Sequence, residues 1–214
     1  MKIQLALTCL IAALFSFTLY SQEGESNPQK SFEFGIGIEV NRNNIIVDGA
    51  GISSLSISEN YGFGTSIFTK YNISKRTSIL LESIIVFRDN NLLFTDINGE
   101  PLEDGILFNE LTIDVPLHIS YLPFPALSLE PRVLAGPRYR YNIGNDSEAL
   151  LAFSSHQFSF DVGVSVDFKI KDITLRPTFV YTRGLDNIQN ENYRSISDTP
   201  FRMDSFSIKF LFFG

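Results

Sequence analysis

The stretch FSFDVGVSVDFKI, Phe158 to Ile170, alternates apolar and polar residues without a break. Phe158, Phe160, Val162, Val164, Val166, Phe168 and Ile170 fall on one side, and Ser159, Asp161, Gly163, Ser165, Asp167 and Lys169 on the other. A period of two is the signature of a β-strand with one oily and one polar face. Oily side inward gives a soluble barrel or sandwich, and oily side outward gives a protein that lives in lipid.

Seven further stretches alternate in the same way: Phe32–Val40, Tyr61–Tyr71, Thr77–Arg88, Leu107–Tyr121, Leu129–Tyr141, Ile173–Tyr181 and Ser205–Phe213. That gives eight strands, near the ~9–11 residues with which a tilted strand crosses a bilayer. The connections alternate in length. Asn41–Asn60, Asp89–Ile106, Asn142–Gln157 and Arg183–Met203 are long, whereas Asn72–Arg76, Leu122–Ser128 and Lys171–Asp172 are short. An even-stranded up-and-down barrel with long loops at one end and short turns at the other is the pattern of an outer-membrane barrel, with termini and short turns in the periplasm. Pro116, Pro131, Pro137 and Pro177 lie inside strands and cannot donate to a ladder, so bulges or open pairing are expected there, with a bend at Gly136-Pro137.

Three features turn the oily face toward lipid. The polar face is rich in glycine and serine, which suits the narrow lumen of eight strands and serves no purpose on a water-facing surface. Its charges are of mixed sign and suited to pair across a lumen: Glu33, Glu39, Lys70, Glu82, Asp114, Glu130, Arg132, Arg138, Arg140, Asp161, Asp167, Lys169 and Arg176. The apolar face carries no charge over the strand centres, where an Arg or Lys would cost about 2–4 kcal/mol in mid-bilayer. Tyrosines at the strand ends, Tyr61, Tyr139, Tyr141 and Tyr181 at one and Tyr71 and Tyr121 at the other, fit two aromatic girdles. The predicted fold is all-β: an eight-stranded antiparallel up-and-down transmembrane barrel, residues 31–214, with a soluble periplasmic ligand-binding barrel as the competing reading.

Residues 1–22 have a basic start at Lys2, an apolar run through Tyr20 and small polar residues after it, the pattern of a secretory signal peptide. Residues 23–30 are a short polar lead-in. Cys9, the sole cysteine, lies within the apolar run, so no disulfide or Cys-ligated metal is expected in the mature chain. The formal charge of −7 argues against a nucleic-acid partner.

Several stretches resemble the PorT-like outer-membrane β-barrel family of Gram-negative bacteria. LTIDVPLHISYLP (Leu111–Pro123) carries its acidic-apolar-Pro pattern at Asp114 and Pro116, and LEPRVLAGPRYRYNIG (Leu129–Gly144) is similar to its strand with a Gly–Pro step and aromatic pair. FDVGVSVDF (Phe160–Phe168) and RPTFVYTRGLDNI (Arg176–Ile188) extend the likeness. The chain departs from the pattern at Ser120, where a lysine is usual, and at Gly214, where the family ends in an aromatic. The resemblance implies an eight-stranded barrel in the outer membrane, and the family's namesake takes part in type IX secretion and gliding.

Two stretches invite a search for chemistry. His118 and Ser120 are two apart on one strand face, as in a small-barrel lipid hydrolase, with Asp114 or Glu110 to orient the histidine. Against this, the pair faces a lumen rather than lipid. TDINGEPLEDG, Thr95–Gly105, offers alternate oxygens, yet Gly99 is misplaced for an EF-hand loop, and a solvated loop is the reading kept. The sequence thus predicts a non-enzymatic outer-membrane barrel without cofactor or metal. Its lumen is closed by charge, its surroundings are outer-membrane lipid, and its loops or turns dock an envelope or secretion protein.

Overall fold

The computed structural model describes residues 31–47, 55–94, 106–124, 129–145, 154–187 and 201–214. Residues 1–22, expected as a signal peptide, the lead-in 23–30 and the acidic stretch Thr95–Gly105 lie outside these residues. Eight strands follow one another in the chain: β1 (Phe32–Val47), β2 (Leu55–Asn72), β3 (Thr77–Phe94), β4 (Ile106–Tyr121), β5 (Glu130–Asn145), β6 (His156–Ile170), β7 (Ile173–Gly184) and β8 (Phe201–Phe213). Each pairs antiparallel with its sequence neighbour, and β8 returns to β1 through pairs running from Gly35–Phe213 to Val47–Phe201, so the barrel is closed and has no free edge.

The strands run further than the alternation indicates. β1 continues from Val40 to Val47, β2 begins at Leu55, β3 reaches Phe94 and β8 begins at Phe201. Much of the segments expected as long loops is therefore strand. The reason is visible in Asn41–Asn44, which are polar on both faces. Backbone pairing carries the ladder outward past the point where lipid imposes an apolar contrast.

Side-chain direction follows the period of two. Along β6, Phe158, Phe160, Val162 and Val164 are exposed, while Gln157, Ser159, Asp161, Ser165 and Asp167 are buried. The same division holds round the barrel: Ile36 is 63% exposed and Ile67 61%, while Glu39, Glu82, Asp114 and Lys209 are 2% exposed or less. The interior is not wholly polar, however. Phe68, Leu80, Leu211 and Phe213 pack together inside it, and Ile84 and Val86 of β3 also point inward. In β3 the run ILLESIIVF is apolar on both faces, which blurs the alternation there.

Three of the four strand prolines act through open pairing, whereas Pro131 pairs in register with Val166 of β6. Three ladders lapse briefly while keeping their register, and each lapse contains a proline: Pro116 in β3–β4, Pro137 in β4–β5 and Pro177 in β6–β7. The actual register shifts lie elsewhere, between Ser58 and Tyr61 and between Leu111 and Thr112. Gly136 is needed beside Pro137, because a Cβ there would overlap the carbonyl oxygen of Leu117 on β4. At Gly62 a Cβ would come within 2.8 Å of Cγ of Arg88, so this glycine gives a buried arginine its path into the lumen.

Candidate functional site, the charged lumen

Asp114, at the middle of β4, is the hub of the interior. Its carboxylate accepts from Arg140 Nε at 3.0 Å, from Arg138 Nη1 at 3.1 Å and from Arg88 Nη2 at 3.1 Å, and Thr112 Oγ1 donates at 3.0 Å. Arg138 reaches on to Asp161 of β6 at 2.8 Å. On the opposite wall Lys209 of β8 lies 2.7 Å from Glu82 of β3 and 3.3 Å from Glu39 of β1. Glu39 also accepts from Ser207 and Asn41, and its carboxylate stands 3.9 Å from Arg138, which links the two walls. The chain of contacts therefore crosses the lumen.

Toward the short turns the interior changes character twice. An apolar layer comes first, where Phe213 lies with Lys70 Nζ 4.9 Å and the Arg176 guanidinium 4.8 Å from its ring centroid, and Phe68 meets it edge-on. Beyond it is a polar mouth. Asp167 is clamped by Arg132 at 3.1 Å and by both Nε and Nη2 of Arg176, Glu33 pairs with Lys70 at 2.9 Å, and Glu130 accepts from Arg132 and Lys169. A cavity of about 450 Å³ opens here, bordered by Ser31, Asn72, Lys75, Thr174 and Gly214 among others.

Of the charges expected in the lumen, Glu39, Lys70, Glu82, Asp114, Arg132, Arg138, Arg140, Asp161, Asp167 and Arg176 are buried there, and Glu33 and Glu130 are half-buried at the mouth. Lys169 joins the network only at the mouth: it donates to Glu130 at 3.1 Å, but its side chain is 70% exposed, because it sits two residues before the Lys171-Asp172 turn. Arg88, Glu110 and Lys209 belong to the network and were absent from the expected set. Strand parity marks all three, since Arg88 shares the face of Glu82, Glu110 that of Asp114, and Lys209 that of the small residues Ser205 and Ser207.

The histidine partnership also differs from expectation. His118 Nε2 lies 2.8 Å from Asp161, across the β5 strand, while Asp114 is taken up by arginines and Glu110 faces Arg88 and Asn142. Ser120 Oγ is buried and makes no hydrogen bond to His118. Among the described residues no group of three His, Cys, Asp or Glu side chains is arranged to hold a metal ion. Replacing Asp161 with asparagine, which keeps its size, is expected to lower stability by about 2 kcal/mol, the worth of hydrogen bonds to a charged group. Urea titration of folding into lipid vesicles measures this.

An aqueous exterior cannot account for this arrangement. Exposing Phe34, Ile36, Ile38, Phe63, Ile67, Ile119, Phe179 and Phe210 while burying arginine, lysine and aspartate inverts the soluble pattern. In lipid it is the stable one, and closure satisfies every strand without a free edge. The protein is an outer-membrane β-barrel.

Several solved structures resemble the barrel. They include the outer membrane protein OprG of Pseudomonas aeruginosa (12% identity over 85% of this chain and 93% of that one, TM-score 0.49). Neisserial surface protein A also resembles it (12% identity, 83% and 95%, TM-score 0.46), as does outer membrane protein W of E. coli (16% identity, 83% and 97%, TM-score 0.39). No family model and no curated protein matches the sequence.

Proposed function

We propose that this barrel is a closed, non-enzymatic component of the envelope that docks another protein rather than passing solutes. The observation that carries the reading is the network crossing the lumen from Glu39 and Lys209 to Arg138 and Asp161. Eight strands leave room only for side chains, and these are large, interlocked and of balanced sign. In the lumen the buried bases Lys70, Arg88, Arg132, Arg138, Arg140, Arg176 and Lys209 are met by Glu39, Glu82, Glu110, Asp114, Asp161 and Asp167, with Glu33 and Glu130 at the mouth. Little net charge remains to draw an ion through.

The docking half of the reading rests on the mouth at the short turns, which on the outer-membrane pattern faces the periplasm. Its cavity of about 450 Å³ is polar and carries both signs, the character of a transient protein-binding rim. The resemblance to PorT-like barrels makes a secretion complex of the type IX kind the first partner to seek. Two experiments test the two halves. Purified barrel in planar bilayers is expected to give no steady single-channel current, and regular conductance steps would end the closed reading. A photo-crosslinker at Lys75, in intact envelopes, is expected to capture a discrete protein that a crosslinker at lipid-facing Ile67 does not. Identical products at both positions would end the docking reading.

A further inference from the structure

The exterior of the barrel changes abruptly on one side, at the end away from the short turns. Along β1 the outward residues Phe34, Ile36, Ile38 and Val40 are followed by Arg42. Along β7, Phe179 and Tyr181 are followed by Arg183, and along β8, Phe212, Phe210, Ile208 and Phe206 are followed by Asp204 and Arg202. These three strands are neighbours, and the register places the residues together. Phe206 pairs with both Arg42 and Tyr181, and Tyr61 of β2 stands opposite Arg42 on the other side.

Asp204 organises the patch. It shares the outward parity yet is only 6% exposed, because it accepts from Tyr181 Oη at 2.6 Å, from the Gly184 amide at 3.2 Å and from Arg202 Nε at 3.2 Å. One carboxylate is thus spent holding a tyrosine and one guanidinium in place. Arg42 and Arg183 are exposed and have no ion pair among the described residues. Elsewhere at this end the outward side chains of β3 to β6 that are described are apolar, aromatic or acidic, among them Asp89, Leu111, Ile113, Tyr139, Ile143 and Phe160, together with His156. Among the described outward residues at this end, the basic ones, Arg42, Arg183 and Arg202, all lie on β7, β8 and β1.

A guanidinium costs about 2–4 kcal/mol facing the middle of the bilayer and almost nothing at its edge, so these residues mark the headgroup level of the outer leaflet. We infer that Arg42, Arg183 and Arg202 form a binding site for the phosphate groups of an outer-leaflet lipid, whose acyl chains lie along Phe206, Tyr181 and Val40. Arginine is suited to this because its planar fork pairs phosphate oxygens two at a time. The tyrosines fit as well, being amphipathic rings that sit at the interface.

The test uses the whole barrel in detergent micelles, titrated with diphosphoryl lipid A, with the same lipid stripped of phosphate, and with inorganic phosphate. The wild-type protein is expected to bind the phosphorylated lipid and release it to neither competitor. Arg42→Gln combined with Arg183→Gln is expected to weaken binding roughly tenfold or more, since each basic side chain near an anionic lipid surface contributes separately. Arg42→Lys with Arg183→Lys should recover part of the affinity, and Lys75→Gln with Arg76→Gln at the opposite rim should leave it unchanged. Heat-shifted migration on a gel shows that each variant is folded. Equal binding of the stripped lipid, displacement by inorganic phosphate at comparable concentration, or equal weakening by the Lys75/Arg76 pair would each overturn the site.

Discussion

Replacing Asp114 with leucine is expected to destabilise the folded barrel by about 3–5 kcal/mol, the cost of removing one partner from a buried ion cluster. The effect is large because a single carboxylate answers Arg88, Arg138 and Arg140, all of which are 5% exposed or less. Leucine leaves three guanidiniums facing one another in a site from which water is excluded. Glu110, 3.7 Å from Arg88, and Asp161, beside Arg138, relieve two of them in part. Arg140 retains only weaker contacts such as Met203 Sδ. Urea titration of folding into vesicles measures the change. Asp89→Asn, at an exposed position of β3, serves as the control and is expected to stay within about 0.5 kcal/mol of wild type.

Val164→Arg is expected to cost about 2–4 kcal/mol in a bilayer, through a different cause. Val164 is 53% exposed at the centre of β6, opposite Val133 on one side and Phe179 on the other, both lipid-facing. The new guanidinium has no anion within reach on that face. The comparison with Lys171→Arg is instructive, since Lys171 lies in the exposed turn at the end of the same strand, where a cation is already tolerated. Equal stability of Val164→Arg and wild type in vesicles would mean that this face does not meet hydrocarbon.

The barrel was legible in the sequence because lipid and lumen impose opposite demands on alternate residues. Phe158–Ile170 shows this most cleanly, and its partners in β5 and β7 show it well enough to fix eight strands in order. What could not be read was local. The outer strand extensions lack apolar contrast, so Asn41–Val47 looked like loop although backbone pairing continues through it. Both faces of β3 are apolar in part, which hid Leu80, Ile84 and Val86 as interior residues. The charged residues of the lumen could be named from parity, but their pairing depends on how far each side chain reaches across a narrow space. His118 therefore finds Asp161 two strands away rather than Asp114 on its own strand. Lys169 has lumen parity yet is largely exposed at the mouth, because parity gives direction and not depth.

The exterior arginines show the same limit from the other side. Arg42, Arg183 and Arg202 are separate in the chain: the pairing of β7 with β8 brings Arg183 beside β8, and the closure of β8 on β1 adds Arg42. Sequence places each at a strand end, where a charge looks ordinary.

The apolar face of each strand meets lipid and the charged face meets the lumen. Single cysteines at positions 161 to 166 of β6, introduced into the barrel in vesicles and spin-labelled, test this directly. Oxygen dissolved in the bilayer is expected to relax labels at 162, 164 and 166, and a water-soluble nickel complex is not. Labels at 161, 163 and 165 should be shielded from both. Access of the nickel complex to 162, 164 and 166 would mean that this face meets water and not lipid.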